Sequence, residues 1–442
     1  MDKKRFISIG LAIILGLLVY LSDFDLPSNA HAVLVIITVA MILWLTEAIP
    51  LHVTSLLIAF LLAVFAKIPE KDVFAPFFDP VIALLLGGFV LAVALQKHGL
   101  DKKLAYGFLK KIGSNPNRFL LGIMMLTAFI SFWVSNTATT ATILPIAIAV
   151  LAASKVVKGS NYSKALVLGV AYAATLGGMG TIIGSTPNVI VASFLAKEGV
   201  TINFVSWMYY ALPFTIIMVP VSWFILLKIF KPEVSNLKVK KYDHKYSFSQ
   251  KLVLIIFAIT VLLWLTDRYH GVSNSIIALV PIILLYLFRL LSVKDFSKVE
   301  WSALVLFGGG LSLGYAIHST GLDLIMANAL KIVLGGMPVF LIFMCVAAFG
   351  IILTGFLSNT VAASLMIPIM LPLSQSLGLD IKFLALLASL GVSIDLILPI
   401  GTPPGTMAYA TGYIKIWDMV KSGLIISAVG LVILVSLAYL YW

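Results

Sequence analysis

A chain of 442 residues that is 61% hydrophobic and 11% charged, with a mean hydropathy of +1.10, lies outside the composition of soluble domains and is read as an all-α polytopic membrane protein. Its formal net charge of +12 suggests an acidic partner, but the placement of that charge excludes nucleic acid. With the amino terminus cytoplasmic, 24 of the 30 Lys and Arg fall on inner segments and 6 on outer ones, the positive-inside pattern.

The elements follow in chain order. Residues 1–29 hold Lys3-Lys4-Arg5 and an apolar run to residue 21, read as a first transmembrane helix. The competing reading is a secretory leader cut near Ala30-His31-Ala32. Residues 30–229 form a first repeat, with apolar spans near 30–46, 52–66 and 81–96. Residues 104–112 are expected as an amphipathic helix on the inner membrane surface. Near 118–152 the chain runs apolar, polar, apolar around Ser135-Asn136-Thr137. Hydrocarbon cannot solvate such a break, so a re-entrant hairpin is expected there. A helix near 165–195 is interrupted at Gly184-Ser185-Thr186-Pro187, a span follows near 206–229, and residues 230–250 read as a cytoplasmic linker. Residues 251–442 form a second repeat. It has spans near 251–266, 274–290 and 302–317, a hairpin near 338–372 around Ser358-Asn359-Thr360, an interrupted helix near 381–414 with Gly401-Thr402-Pro403-Pro404, and a last span near 421–441. The single cysteine, Cys345, excludes an internal disulfide framework and reads as a small core residue.

Four anchors carry the repeat. Trp44-Leu45-Thr46-Glu47 matches Trp264-Leu265-Thr266-Asp267 at offset 220; Gly87-Gly88 with Gly99-Leu100-Asp101 matches Gly309-Gly310 with Gly321-Leu322-Asp323 at 222; the Ser-Asn-Thr tips differ by 223; the Gly-Ser/Thr-Pro breaks differ by 217. Because a hairpin enters and leaves on one side, each repeat crosses the membrane five times, and an odd number inverts the second copy. With the first helix this makes 11 transmembrane helices, two re-entrant hairpins, and a carboxyl terminus outside. Two polar breaks of this kind in an inverted repeat point to a transporter.

At each tip one half-helix ends in unpaired carbonyl oxygens and the next begins in unpaired N–H groups. The first suits a cation, and the second, with its dipole, suits an anion. Four facing breaks would enclose one anion with a cation on either side. Ser131 and Thr354 each lie four residues before a tip serine, over the same helical face. No Lys or Arg lies near the breaks in the sequence, so a divalent anion needs either accompanying sodium ions or anion-for-anion exchange to offset the cost of burying its charge. Asp395, six positions before Gly401, is an intramembrane acid and hence a candidate coupling modulator, against the plainer reading of a hydrogen-bonded structural acid. Glu47 and Asp267 read as anchors of helix ends. Gly310-Leu311-Ser312-Leu313-Gly314 matches a hydrolase pattern without its strand context and is read as close helix packing. No Walker A sequence or metal-ligand histidine spacing occurs, so the chain is not read as an enzyme and no catalytic residue is assigned.

The twin Ser-Asn-Thr tips, Trp-Leu-Thr-Glu-Ala-Ile-Pro at 44–50, Gly-Ser-Thr-Pro-Asn at 184–188 and Gly-Thr-Pro-Pro at 401–404 resemble the divalent anion/sodium symporter family over nearly the whole chain. The resemblance implies a homodimeric elevator-type transporter in the cell inner (plasma) membrane, held in lipid. It would import C4-dicarboxylates such as succinate, malate and fumarate with sodium, while relatives take citrate, 2-oxoglutarate or sulfate. It places substrate carboxylates on Asn136, Thr137, Ser185, Asn359, Thr360 and Pro403. One sodium falls among Ser131, Ser135, Asn136 and Gly184; the other falls among Thr354, Asn359, Gly401 and the backbone of Leu357. Gly355, where members often carry glutamate, Gly405, where asparagine is expected, and Asp395 depart from the pattern, all in the second half. They keep sodium-independent dicarboxylate exchange open as the alternative, with a membrane enzyme or an arsenite-type pump more remote.

Overall fold

The computed structural model describes residues 3–238, 245–399 and 401–442. Part of the expected linker, residues 239–244 with the Lys240 and Lys241 of the charge count, therefore lies outside the described residues. So does residue 400, beside the second break.

The first half runs α1 (Lys3–Leu21), α2 (Ser28–Thr46), α3 (Leu51–Val64), α4 (Pro80–Lys97), α5 (Leu100–Ile112), α6 (Pro116–Ser131), α7 (Asn136–Ala153), α8 (Asn161–Gly178), α9 (Thr186–Lys197) and α10 (Phe204–Ile229). The second runs α11 (Phe248–Leu265), α12 (Asn274–Leu287), α13 (Trp301–Ser319), α14 (Leu322–Leu334), α15 (Val339–Phe356), α16 (Asn359–Ser376), α17 (Ile381–Ser393), α18 (Pro403–Ala410) and α19 (Ile416–Leu440). Among the described residues, 8 helices are long and apolar enough to cross a membrane.

Local chemistry sets the helix limits. Asn115 caps α6 by accepting from the backbone N–H groups of Asn117 and Arg118, with Pro116 at the first helical position. Asp79 and Pro80 do the same for α4. Gly99 and Gly321, at φ 62° and 70°, turn the chain into α5 and α14, a left-handed conformation that glycine adopts without strain. The Trp44 indole donates to the Leu51 carbonyl and that of Trp264 to the Asn274 carbonyl, so the paired tryptophans tie corresponding corners in both halves.

The order of elements from α4 to α10 recurs from α13 to α19. The surface helix expected at 104–112 begins earlier, at Leu100, and has a counterpart, α14, that its more apolar sequence concealed. Glycines of the two Gly-Gly pairs lie at close helix contacts. A Cβ on Gly87 would lie 2.3 Å from the Ala278 carbonyl oxygen, one on Gly309 2.3 Å from Ser55 Cβ, and one on Gly310 2.2 Å from Ser364 Oγ, so these glycines let α4 approach α12 and let α13 approach α3 and α16. Cys345 is exposed on α15, not buried in a core. A membrane-facing surface is as apolar as an interior, and hydropathy cannot separate the two.

Candidate functional site

A cavity of about 510 Å³ lies where the two halves meet. Its lining includes the first residue of each of four helices: Asn136 of α7, Thr186 of α9, Asn359 of α16 and Pro403 of α18. Four helix starts thus converge on one space with their positive dipole ends, an arrangement suited to an anion, although Pro187, Pro403 and Pro404 carry no N–H to donate. The sequence folds this way locally because Ser135 and Ser358 cap their helices, accepting from the N–H groups of Ala138 and Val361, while Pro187, Pro403 and Pro404 sit where a helix needs no backbone donor.

Of the residues expected to meet substrate, Asn136, Thr137, Ser185, Asn359, Thr360 and Pro403 all line this cavity. Thr186, Thr402 and Thr406 join them, as do Glu47, His52, Glu300 and Ser302. The Thr186 and Thr360 hydroxyls lie 2.6 Å apart and join the first interruption to the second tip. Ser135 Oγ donates to Glu300 Oε1 at 2.6 Å, joining the first tip to the start of α13. Thr186 and Thr402 stood inside the motifs already singled out. Glu300 gave no signal, because a carboxylate ahead of an apolar run is ordinary. Glu47 stands at the end of α2 in a left-handed conformation and also lines the cavity, exposed. The lining contains no Lys or Arg among the described residues.

Behind the first tip lies a ring of oxygens. The terminal amide atom of Asn136 that faces inward is 2.6 Å from Ser131 Oγ, 2.9 Å from the Ala174 carbonyl and 3.3 Å from the Gly184 carbonyl. The amide orientation that satisfies all three has Nδ2 donating, while Ser131 Oγ donates to the Ala174 carbonyl at 2.8 Å. Turned by half a rotation, the same amide would present its oxygen among hard oxygen donors suited to an alkali cation. Glycine is required on both sides: a Cβ on Gly178 would lie 2.1 Å from the Asn136 amide, and one on Gly184 2.6 Å from the Gly178 carbonyl and 2.8 Å from that of Ser131. Asn188 Nδ2 fixes the interruption by donating to the carbonyls of Gly178 and Thr181 at 2.9 and 2.8 Å. Ser131, Asn136 and Gly184 therefore stand together as expected. Ser135 lies at the tip, with its hydroxyl turned to Glu300.

The second half differs. Thr354 is fully buried with its hydroxyl unpartnered, and Asn359 makes no side-chain hydrogen bond among the described residues. Gly401 lies at the cavity with the Asp395 carboxylate directly behind it, and Leu357 closes α15 with its N–H on the Leu353 carbonyl.

Comparison with known proteins agrees with this geometry. A family model described as "Sodium:sulfate symporter transmembrane region" matches residues 3–442. The chain is 34% identical over 452 residues to an uncharacterized transporter of Haemophilus influenzae, covering 98% of this chain and 97% of that one. It is 31% identical to the sodium-dependent dicarboxylate transporter SdcS of Staphylococcus saprophyticus (90% and 83% covered) and 30% identical to SdcS of Staphylococcus aureus (99% and 92%). The YdaH transporter of Alcanivorax borkumensis shares the fold with a TM-score of 0.57 at 14% identity, over 84% of this chain and 87% of that one. With its helix starts gathered on one central cavity and a family match over nearly every residue, the chain belongs to the sodium:sulfate symporter family, the divalent anion/sodium symporters, and is a membrane transporter, not an enzyme.

Proposed function

We propose that this protein imports C4-dicarboxylates, with succinate, malate and fumarate as the expected substrates, coupled to sodium by an elevator mechanism in a homodimer. The reading rests on one observation: four helix starts converge on a cavity whose described lining carries no Lys or Arg. Helix dipoles and neutral donors attract a carboxylate but do not neutralise a dianion, and an uncompensated buried charge is costly. Cations bound beside the cavity supply the missing charge. The oxygen ring of Ser131, Asn136 and Gly184 is the best-formed candidate for one of them, and the names of the SdcS relatives point the same way.

In this reading substrate carboxylates meet Asn136 and Thr137 at one tip, Asn359 and Thr360 at the other, and Ser185 and Pro403 at the interruptions. Sodium in that ring would meet the Asn136 amide oxygen turned inward, while the start of the same helix faces the anion. A second cation would sit behind the second tip, beside Thr354, Leu357 and Gly401. The eleven crossings, the inverted second repeat and the cytoplasmic amino terminus belong to this proposal. The sliding unit would carry both hairpins past the remaining helices.

The test is uptake of labelled succinate into proteoliposomes, with and without a sodium gradient and with and without internal dicarboxylate. Uptake driven by sodium into empty vesicles is expected. Uptake that ignores sodium and needs internal anion would replace symport by exchange, and no transport of succinate, malate or citrate under any gradient would sink both.

A further inference from the structure

The two halves are not equivalent behind their tips. The offset of 217 that pairs Gly184 with Gly401 also pairs Gly178 with Asp395 and Ala174 with Gly391. In the first half the absent side chain of Gly178 leaves the space that the Asn136 amide fills, since a Cβ there would lie 2.1 Å from that amide. In the second half the same position carries a carboxylate. Asp395 is 3% exposed, and both of its oxygens lack a partner among the described residues. The carboxylate fills the place a side chain on Gly401 would take, with a built Cβ 1.8 Å from Oδ2 and 2.5 Å from Oδ1.

A second unpartnered group lies on the helix that packs against α17. On α15 and α17 a Cβ on Gly391 would lie 3.0 Å from the Ala347 carbonyl oxygen, and one on Gly350 3.1 Å from the Val392 nitrogen. Residue numbers rise together on the two helices, so they run side by side in the same direction. Thr354, whose buried hydroxyl has no partner, lies one turn further along α15, and Asp395 lies two residues past the end of α17. A buried carboxylate without a donor is costly, and a hydroxyl, a carboxylate and backbone carbonyls together are the hard oxygen set that alkali cations take.

We propose that Asp395 is a carboxylate ligand of a sodium site in the second half, bounded by Thr354 and Gly401, and that its carboxylate takes the space which the Asn136 amide fills in the first half. Asn359 is thereby released from cation binding and faces the cavity alone. The two cation sites then differ in kind: the first is built of neutral oxygens, and the second carries a fixed negative charge that moves with the protein. Sodium at the second site neutralises the protein's own carboxylate, and it adds no net positive charge for the substrate.

This inference rests on the symport reading, and its test separates the two. The thermal midpoint of the purified full-length protein is followed against sodium without substrate, with choline holding ionic strength, because a ligand of the folded state raises the midpoint. The wild type is expected to respond to sodium. Asp395→Asn is expected to melt higher than wild type in choline, having lost an unpaired buried charge, and to need about tenfold more sodium or more for half its response. Asp395→Gly, which copies Gly178 and adds no volume beside Gly401, gives the same reading if the Asn variant is not recovered. The sodium-minus-choline infrared difference spectrum of the wild type should contain a carboxylate band that the variants lack. An unchanged half-response in whichever variant folds, or a wild-type spectrum without that band, overturns the inference alone. A wild type that ignores sodium overturns the symport reading itself.

Discussion

Gly178→Ala tests whether the oxygen ring behind the first tip holds a cation. The added methyl group would lie 2.1 Å from the facing amide atom of Asn136 and 2.8 Å from the Gly184 carbonyl oxygen. Gly184 is backbone and cannot swing aside, so the amide must leave. It then forfeits its contacts with Ser131 Oγ, the Ala174 carbonyl and the Gly184 carbonyl. Those contacts belong to the sodium-free orientation, and what the cation loses is the Asn136 oxygen itself: an interaction with a charged group is worth about 1.5–3 kcal/mol, which is about tenfold to a hundredfold in affinity at about 1.4 kcal/mol for each factor of ten. The half-saturating sodium concentration, read both from thermal midpoints and from initial rates of uptake, is expected to rise by about that factor. Gly355→Ala is the matched control, because nothing lies within 4 Å of its built Cβ; it should leave the sodium dependence alone and gain slightly in helix propensity. A Gly178→Ala protein with wild-type sodium dependence would refute the reasoning.

Two further predictions concern the halves' junction and the surface charge. Thr186→Val and Thr360→Val should each weaken substrate binding, and a double-mutant cycle in succinate affinity should show coupling of about 1 kcal/mol from their 2.6 Å hydroxyl contact; additive losses would show that the contact carries no energy. Asp295, outside the spans, is held well below the usual carboxylate range by hydrogen bonds from Lys97, Ser292 and Lys298. A depressed carboxyl contributes stability that is fully present above its unfolded value of about 3.9 and is lost as pH falls below it. Asp295→Asn should therefore lower the thermal midpoint at neutral pH and flatten its fall in acid; parallel acid profiles for variant and wild type would contradict this.

Much of the architecture was legible in the sequence because its signals are local. The caps at Ser135 and Ser358, the prolines after Gly184 and Gly401 and the left-handed glycines at 99 and 321 act within a few residues, so the breaks fell where composition placed them. Helices Pro116–Ser131 and Asn136–Ala153 flank the first tip, and Val339–Phe356 and Asn359–Ser376 the second, over the stretches 118–152 and 338–372. Cys345 was read as a core residue and no helix was expected at α14 for one reason: lipid replaces water as the solvent, and an apolar side chain facing lipid looks in sequence like one facing a core.

The sequence by itself determined that the chain lives in a membrane, that short motifs recur in its second half, and which short words interrupt its helices, since hydropathy, recurrence and capping are written in neighbouring residues. Tertiary structure alone decided which atoms meet. Thr186 reaches Thr360 across 174 positions, and Ser135 reaches Glu300 across 165; no local rule foretells such contacts, because they follow from how whole helices pack. The same holds for Asp395. In the sequence it is an acid misplaced in an apolar span; in the fold its carboxylate occupies the room left by the missing side chain of Gly401, buried and without a partner among the described residues.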